Sequence, residues 1–125
     1  MKEKCIGVIS ESVCSILKIP FPQNSNIYLG ESNINHMITS HPDDYSKYGN
    51  HIQDILSHPD YVGMNKKDYS IEYVKLFIED NDFVKVAVRV STSGKYYART
   101  LYTLNNNRVQ NFINNKTLIS VDKYE

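Results

Sequence analysis

The stretch FVKVAVRVSTSGKYYARTLYTL, residues Phe83 to Leu104, decides the fold that we predict for this chain. Its first half alternates valine with polar or small residues, which is the period-two pattern of a strand with one buried face. Ser93-Gly94 offers a two-residue turn, with glycine where a positive φ is usually needed. The stretch therefore predicts a β-hairpin whose core face carries Val84, Val86, Val88 and Val90.

The predicted turn also sets which residues face each other across the hairpin. Val90 faces Tyr97 and Val86 faces Leu101 on the core side. On the open side, hydroxyl, phenol and cationic side chains come together, which indicates a surface that binds anions rather than a core. The pairs expected there are Ala87 with Thr100 and Lys85 with Tyr102.

Arg99 does not fit this register, because the alternation turns it towards the core beside Val88. Three explanations stay open at this point. The side chain reaches out around a helix edge, the hairpin contains a bulge, or Arg99 has a structural role.

The strand predicted at Ile71–Glu79 extends the open face. Its apolar side carries Val74, Leu76 and Ile78, and we match that side to the valines through a three-residue loop near Asp80-Asn81-Asp82. This match leaves Tyr73, Lys75 and Phe77 on the open side. The resulting open row is Lys75, Ala87 and Thr100, with a phosphate-sized gap over the small alanine.

The other segments are shorter. A mixed strand-to-helix pattern covers Cys5–Lys18, and prolines separate the elements that follow. We predict strands at Asn26–Leu29 and Tyr61–Met64, and helices at Ser32–Ser40, Tyr45–Ser57 and Val109–Phe112.

Composition limits the classes of function. The 125 residues predict a single domain, residues 1–125, and the formal net charge of zero means that nucleic-acid binding must rest on a local patch. Cys5 and Cys14 are expected to be free thiols in a reducing compartment. The N-terminal apolar run is too short for a signal sequence or a membrane span, so we expect a cytoplasmic protein.

Histidines are the candidate proton-transfer groups, because an unperturbed imidazole titrates near neutral pH. We select His36 and His41, at a predicted helix end that borders the sheet, and we leave His51 and His58 as surface residues. The spacings fit no usual zinc pattern. The alternative for all the open-face side chains is ordinary solvation of a sheet face.

Four segments together resemble the phage-associated domains of the barnase, EndoU, colicin and RelE-like nuclease superfamily. They are HMITSHP at 36–42, ILSHPDYVG at 55–63, IEYVK at 71–75 and the hairpin segment from Ser91 to Tyr102, and the resemblance covers about residues 27–118. The resemblance implies an α+β fold with N-terminal helices packed on a four-stranded antiparallel sheet and a short C-terminal helix.

The resemblance also implies an activity and its residues. Metal-independent RNA cleavage without a cofactor is expected, in a bacterial or phage-encoded toxin or effector, with a cognate antitoxin or immunity protein as a further partner and no membrane. The alternatives are an inactive nucleic-acid- or protein-binding module of the same fold and a phage accessory protein. The implied catalytic residues are His36, His41, Lys75, Arg99, Thr100 and Tyr102. Substrate binding is expected from Lys85, Arg89, Ser91 and Tyr96.

Overall fold

A computed structural model describes residues 3–124, which form an α+β fold around a seven-stranded sheet. The strands are β1 Lys4–Val8, β2 Asn26–Leu29, β3 Tyr61–Met64, β4 Ile71–Phe77, β5 Asp82–Val90, β6 Tyr96–Leu104 and β7 Ile119–Ser120. The α-helices are α1 Glu11–Leu17, α2 Glu31–Ser40, α3 Pro42–Tyr48, α4 Ile52–Ser57 and α5 Asn106–Asn114, with short 3-10 helices at Gly49–His51 and Val121–Tyr124. Within this range, no helix is long and apolar enough to cross a bilayer.

The strand order is β1-β2-β6-β5-β4-β3-β7. The four strands β3 to β6 form an antiparallel centre, as predicted, but the sheet has seven strands rather than four. β2 pairs parallel to β6, β1 pairs with β2, and β7 pairs with β3. The four strands that the resemblance implied were too few, because β1, β2 and β7 extend the sheet at its two edges.

The central hairpin forms largely as predicted. Ala87 pairs with Thr100, and Lys85 pairs with Tyr102 on the same face. Gly94 has the expected positive φ, +88°, and its N–H donates to the Ser91 carbonyl at 3.0 Å. The core valines Val84, Val86 and Val88 are at most 1% exposed.

A β-bulge in β6 resolves the position of Arg99. Ala87 pairs with Thr100 but Val88 pairs with Ala98, so Arg99 is the extra residue. Ala98 and Leu101 are both fully buried, and the two residues between them leave the core face. The bulge was one of the three explanations that the sequence left open.

Two other expectations for this hairpin were wrong. Beyond the bulge, Val90 pairs with Tyr96 instead of Tyr97. Val90 was predicted to be buried, but it is 48% exposed, and it is the last residue of β5.

The predicted register of β4 was also wrong. Glu72, not Lys75, pairs with Ala87, and Lys75 pairs with Val84 on the opposite face. Tyr73 is consequently fully buried in the main core rather than on the open side. The turn between β4 and β5 spans residues 78–81, and Ile78, which was assigned to the core, is 81% exposed in it.

A second apolar cluster explains why β4 takes this register. α5 places Val109 against Val74 and Phe83 on the face that was expected to be open, with Leu118 completing the cluster. The main core, under α1 and α4, lies on the other face. Each face of β4 therefore has its own apolar partner, so the alternation along β4 alone could not indicate which side faces the valines.

The long predicted helix at Tyr45–Ser57 is divided. α3 ends at Tyr48 and α4 begins at Ile52, with a 3-10 turn between them. The Tyr45 ring packs on Gly49, where an added Cβ would lie 2.9 Å from the ring. Both cysteines are free thiols, as predicted, with Cys5 exposed and Cys14 buried.

α2 and α3 pack along the part of β6 that β2 does not cover. The Asp44 carboxylate accepts from the Thr103 N–H at 3.0 Å and from its hydroxyl at 3.1 Å. This contact satisfies a backbone donor on a strand edge and holds α3 against β6, next to His41.

We predict that Asp44→Ala lowers the free energy of unfolding by about 1–3 kcal/mol, because the Thr103 N–H loses its acceptor in a partly buried place. Asp43→Ala is the matched control, since Asp43 is an exposed carboxylate in the same first turn of α3. Urea denaturation measures both variants. Equal losses for the two would show that the helix dipole, rather than the contact with Thr103, carries the effect.

Candidate active site

A cleft of about 550 Å³ opens on the sheet face that carries Ala87 and Thr100, beside α2. It brings together six of the side chains that the sequence singled out, from three separate segments. One comes from α2, two from β5 and the others from β6. In addition to Thr100, the predicted residues that line it are His36, Lys85, Arg89, Arg99 and Tyr102.

The bulge places consecutive side chains of β6 on the cleft. In a regular strand Arg99 and Thr100 would point to opposite faces, but here both line the cleft. Tyr102 follows on the same face, because it pairs with Lys85. A guanidinium, a hydroxyl and a phenol thus lie side by side on a rigid strand.

Lys85 is held between two partners in the cleft wall. Its Nζ lies 3.0 Å from Glu72 Oε2 and 4.7 Å from the centre of the Tyr102 ring. The lysine and glutamate side chains are only 12% and 11% exposed. Burial works to lower the pKa of Lys85, but the Tyr102 hydroxyl and the Glu72 carboxylate outweigh it and raise this pKa above its ordinary value. Lys85 is therefore a permanent cation at neutral pH.

Among the lysines and arginines that line the cleft, Arg99 is the one without a carboxylate partner in residues 3–124. Lys85 is paired with Glu72, and Arg89 lies 3.6 Å from Asp68. The Nε atom of Arg99 is buried and has no hydrogen-bond partner among residues 3–124. A buried donor without a partner is costly, and an anion in the cleft would supply the missing acceptor.

The two candidate histidines lie at the helical side of the site. His36 is exposed on α2 and lines the cleft, and within the described part of the chain its ring has no hydrogen-bond partner. His41 follows α2 and stacks on Tyr102, with the ring centres 4.8 Å apart. Tyr102 therefore connects the second histidine with Lys85.

Three predicted residues lie elsewhere. Lys75 donates to the His58 carbonyl at 2.9 Å on the opposite face of the sheet, and Tyr96 packs against the main core. Ser91 lines a neighbouring cavity that shares Arg99 with the cleft. The placement of Lys75 in the open row was wrong because β4 is displaced relative to the predicted register.

Glu72 is the site residue that the sequence analysis missed. It is 8% exposed and faces the cleft, next to Ala87 in the strand pairing. The sequence did contain a sign of this role. A carboxylate inside the mostly apolar strand Ile71–Phe77 is buried with the strand, and it then needs a cation beside it. Only the correct register identifies Lys85 as that cation. Among residues 3–124, no three histidine, cysteine or acidic side chains converge as a metal site.

The comparisons with known proteins agree with this geometry. A family model described as phage-Barnase-EndoU-ColicinE5/D-RelE like nuclease 3 matches residues 3–111. The matched range includes α2, the central hairpin and every cleft residue discussed above. Searches of curated proteins and of solved structures gave no match. The chain belongs to this phage-associated family of nucleases.

Proposed function

We propose that this protein is an endoribonuclease that cuts RNA without a metal ion, by attack of the 2′-hydroxyl on the adjacent phosphate. The observation that carries the proposal is the cleft itself. It holds the unpaired guanidinium of Arg99 beside Thr100, with His36 on the neighbouring helix. Such a cleft suits an anionic phosphate next to a proton-transfer group.

The reaction needs little from the protein because RNA supplies its own nucleophile. One imidazole accepts the proton of the 2′-hydroxyl as its oxygen bonds to phosphorus. The P–O5′ bond then breaks, and a second group protonates the leaving 5′-oxygen. We assign these proton transfers to His36 and His41, since His36 lines the cleft and His41 stacks on a residue that lines it. The products are a 2′,3′-cyclic phosphate and a 5′-hydroxyl.

The negative charge that accumulates on the phosphate is stabilised by cations and donors. We assign this role to Arg99 and Lys85, with Thr100 and Tyr102 as hydrogen-bond donors that position the phosphate. Lys85 takes the part that the sequence gave to Lys75, because Lys85 faces the cleft. Glu72 keeps Lys85 charged and fixes its position.

The biological setting that we propose is a toxin or effector carried by a phage or another mobile element. A protein that cuts cellular RNA must be restrained in the cell that makes it. A cognate antitoxin or immunity protein that covers the cleft would provide this restraint.

The second candidate is a module that binds RNA or protein without cutting. Two observations favour it. His36 is exposed and has no partner in the described residues to orient its ring, and the whole chain has no net positive charge. Binding of RNA without cleavage, weakened by salt, is the outcome that would select this candidate.

We predict that His36→Ala lowers the rate of RNA cleavage by roughly 10²–10⁴-fold, the usual contribution of one proton-transfer group. His51→Ala is the matched control, because His51 is also exposed but does not line the cleft. Cleavage of a fluorescent RNA oligonucleotide in EDTA measures both. A His36→Ala variant as active as the His51→Ala control would contradict the assignment.

Arg99→Ala separates a functional role of the guanidinium from a structural one. We predict a loss of roughly 10²–10³-fold in kcat/KM, since a donor to the developing charge is removed. The melting temperature should not fall, because the buried Arg99 Nε has no hydrogen-bond partner to lose among residues 3–124. Arg108→Ala, an exposed arginine on α5, is the control. A large fall in melting temperature with Arg99→Ala would identify a structural residue instead.

Lys85 should act through a constant charge. Its pKa in the folded protein lies above the ordinary 10.5, so the charge is present below that pH and is lost only as the pH rises through the raised pKa. We therefore predict that Lys85→Arg keeps the shape of the pH–rate profile between about pH 5 and pH 9.

Replacing Lys85 by an uncharged residue needs a compensating change at Glu72. Lys85→Met alone leaves the Glu72 carboxylate buried and unpaired, at a cost of about 3–5 kcal/mol in stability. The double variant Lys85→Met with Glu72→Gln should recover most of this stability and still cut RNA slowly at every pH. Full activity in the stable double variant would remove Lys85 from the mechanism.

A further inference from the structure

The loop Asn65–Ser70 joins β3 to β4 and borders the candidate active site. Asn65, Asp68 and Ser70 line the cleft. Lys66, Lys67 and Tyr69, which lie between them, are exposed, and Tyr69 is 74% exposed. An exposed aromatic ring on a loop of the cleft rim offers a flat face on which a base can stack.

The backbone holds Tyr69 in a conformation that a bulky side chain rarely adopts. Its φ is +61°, in the left-handed region. The Tyr69 N–H donates to the Asn65 carbonyl at 2.8 Å, and the Asn65 N–H donates to the Ser70 carbonyl at 2.9 Å. The ring gains little packing in return for this strain, so its position calls for a function.

The loop is attached to the cleft through Asp68. This carboxylate accepts from the Ser70 N–H at 3.0 Å and lies 3.6 Å from Arg89 on β5. The Ser70 hydrogen bonds are the main cause of a lowered pKa for Asp68, and the Arg89 charge adds to it. The loop therefore stays ionically bound to the sheet at neutral pH.

The loop also concentrates positive charge in a chain with no net charge. Lys66 and Lys67 are both exposed, and neither ammonium group forms an ion pair within residues 3–124. Two free lysines and an exposed ring next to a phosphate-sized cleft match the chemistry of single-stranded nucleic acid. Aromatic faces stack on bases, while cations follow the backbone.

We infer that the Asn65–Ser70 loop is a binding subsite for the RNA strand that leaves the cleft. Tyr69 stacks on the base of a nucleotide next to the scissile phosphate, and Lys66 and Lys67 contact the following phosphates. The inference rests on the proposed function for the identity of the ligand. It adds that the substrate is single-stranded at this position, since a paired base cannot offer its face to a tyrosine.

The test uses 2′-O-methyl RNA of about eight nucleotides, in which the attacking hydroxyl is blocked, so that binding to the wild-type protein is measured without cleavage. A second oligonucleotide of the same length has abasic residues. Tyr69→Ala should weaken binding of the first by roughly 5- to 150-fold and that of the abasic strand only slightly. Tyr69→Phe should retain binding, because the ring face is kept.

Two further variants test whether misfolding, rather than loss of the aromatic ring, causes the weaker binding of Tyr69→Ala. Tyr69→Gly removes the ring and suits the positive φ, so it should melt at the same or a higher temperature while binding as weakly as Tyr69→Ala. Phe21→Ala is the matched control, since Phe21 is an exposed aromatic residue, 52% exposed, that does not line the cleft.

The lysines are tested by salt dependence. Lys66→Ala and Lys67→Ala should each reduce the slope of log affinity against log salt by about 0.7, the value for one phosphate contact on a single strand. Lys4→Ala is the control, because Lys4 is an exposed lysine on β1 that does not line the cleft. An unchanged slope for both loop variants would remove the lysines from the subsite.

Failure of this inference and failure of the proposed function give different results. Wild-type protein that cuts RNA, together with a Tyr69→Ala variant that binds both oligonucleotides as wild type does, overturns the loop subsite alone. Binding that depends on Tyr69 without any cleavage overturns the nuclease proposal and keeps the subsite. No binding by the wild-type protein overturns the subsite as well.

Discussion

The β-bulge at Arg99 is the constraint on which the site depends. Ala98 and Leu101 must both be buried to complete the main core, and they are separated by two residues rather than one. An unbroken antiparallel ladder cannot bury both. The bulge absorbs the extra residue and presents Arg99 and Thr100 on the same side, above the small Ala87. The packing of the core and the grouping of the cleft side chains are therefore two results of one irregularity in the hairpin.

The charges in the cleft follow from burial. Lys85 and Glu72 lie deep in the wall, where each requires the other. Arg89 is balanced by Asp68 at the rim. Arg99 is left with an excess charge, and so a protein with no net charge still carries a local preference for an anion. This weakens the objection that neutral composition raised against nucleic-acid binding, since a local patch is enough: within residues 3–124, Arg99 and the nearby loop lysines Lys66 and Lys67 have no carboxylate partner.

The local sequence pattern correctly predicted those strands that have a single apolar face packed against a single core. The burial of Val84, Val86 and Val88, the bounds of β2 and β3, and the pairing of Ala87 with Thr100 were all predicted from alternation and turn chemistry. β4 was different, because Val74 packs under α5 while Tyr73 packs in the main core. Both faces are apolar there, and the register depends on a helix about thirty residues later in the chain. The wrong register of β4 placed Lys75 in the predicted site and excluded Glu72 from it. The spacing of Ala98 and Leu101 was a readable sign of the bulge, whereas the pairing of β2 with β6 had no local sign at all.

The central claim is that the cleft cuts RNA through the 2′-hydroxyl with protein groups alone. Its most direct test is mass spectrometry of the ends produced when purified protein is incubated with a defined RNA in EDTA. The account predicts a 2′,3′-cyclic phosphate on one fragment and a 5′-hydroxyl on the other. It also predicts that a single 2′-deoxy substitution at the cut position protects the strand. Products with 3′-hydroxyl ends, or cleavage that appears only when a divalent ion is added, would contradict it.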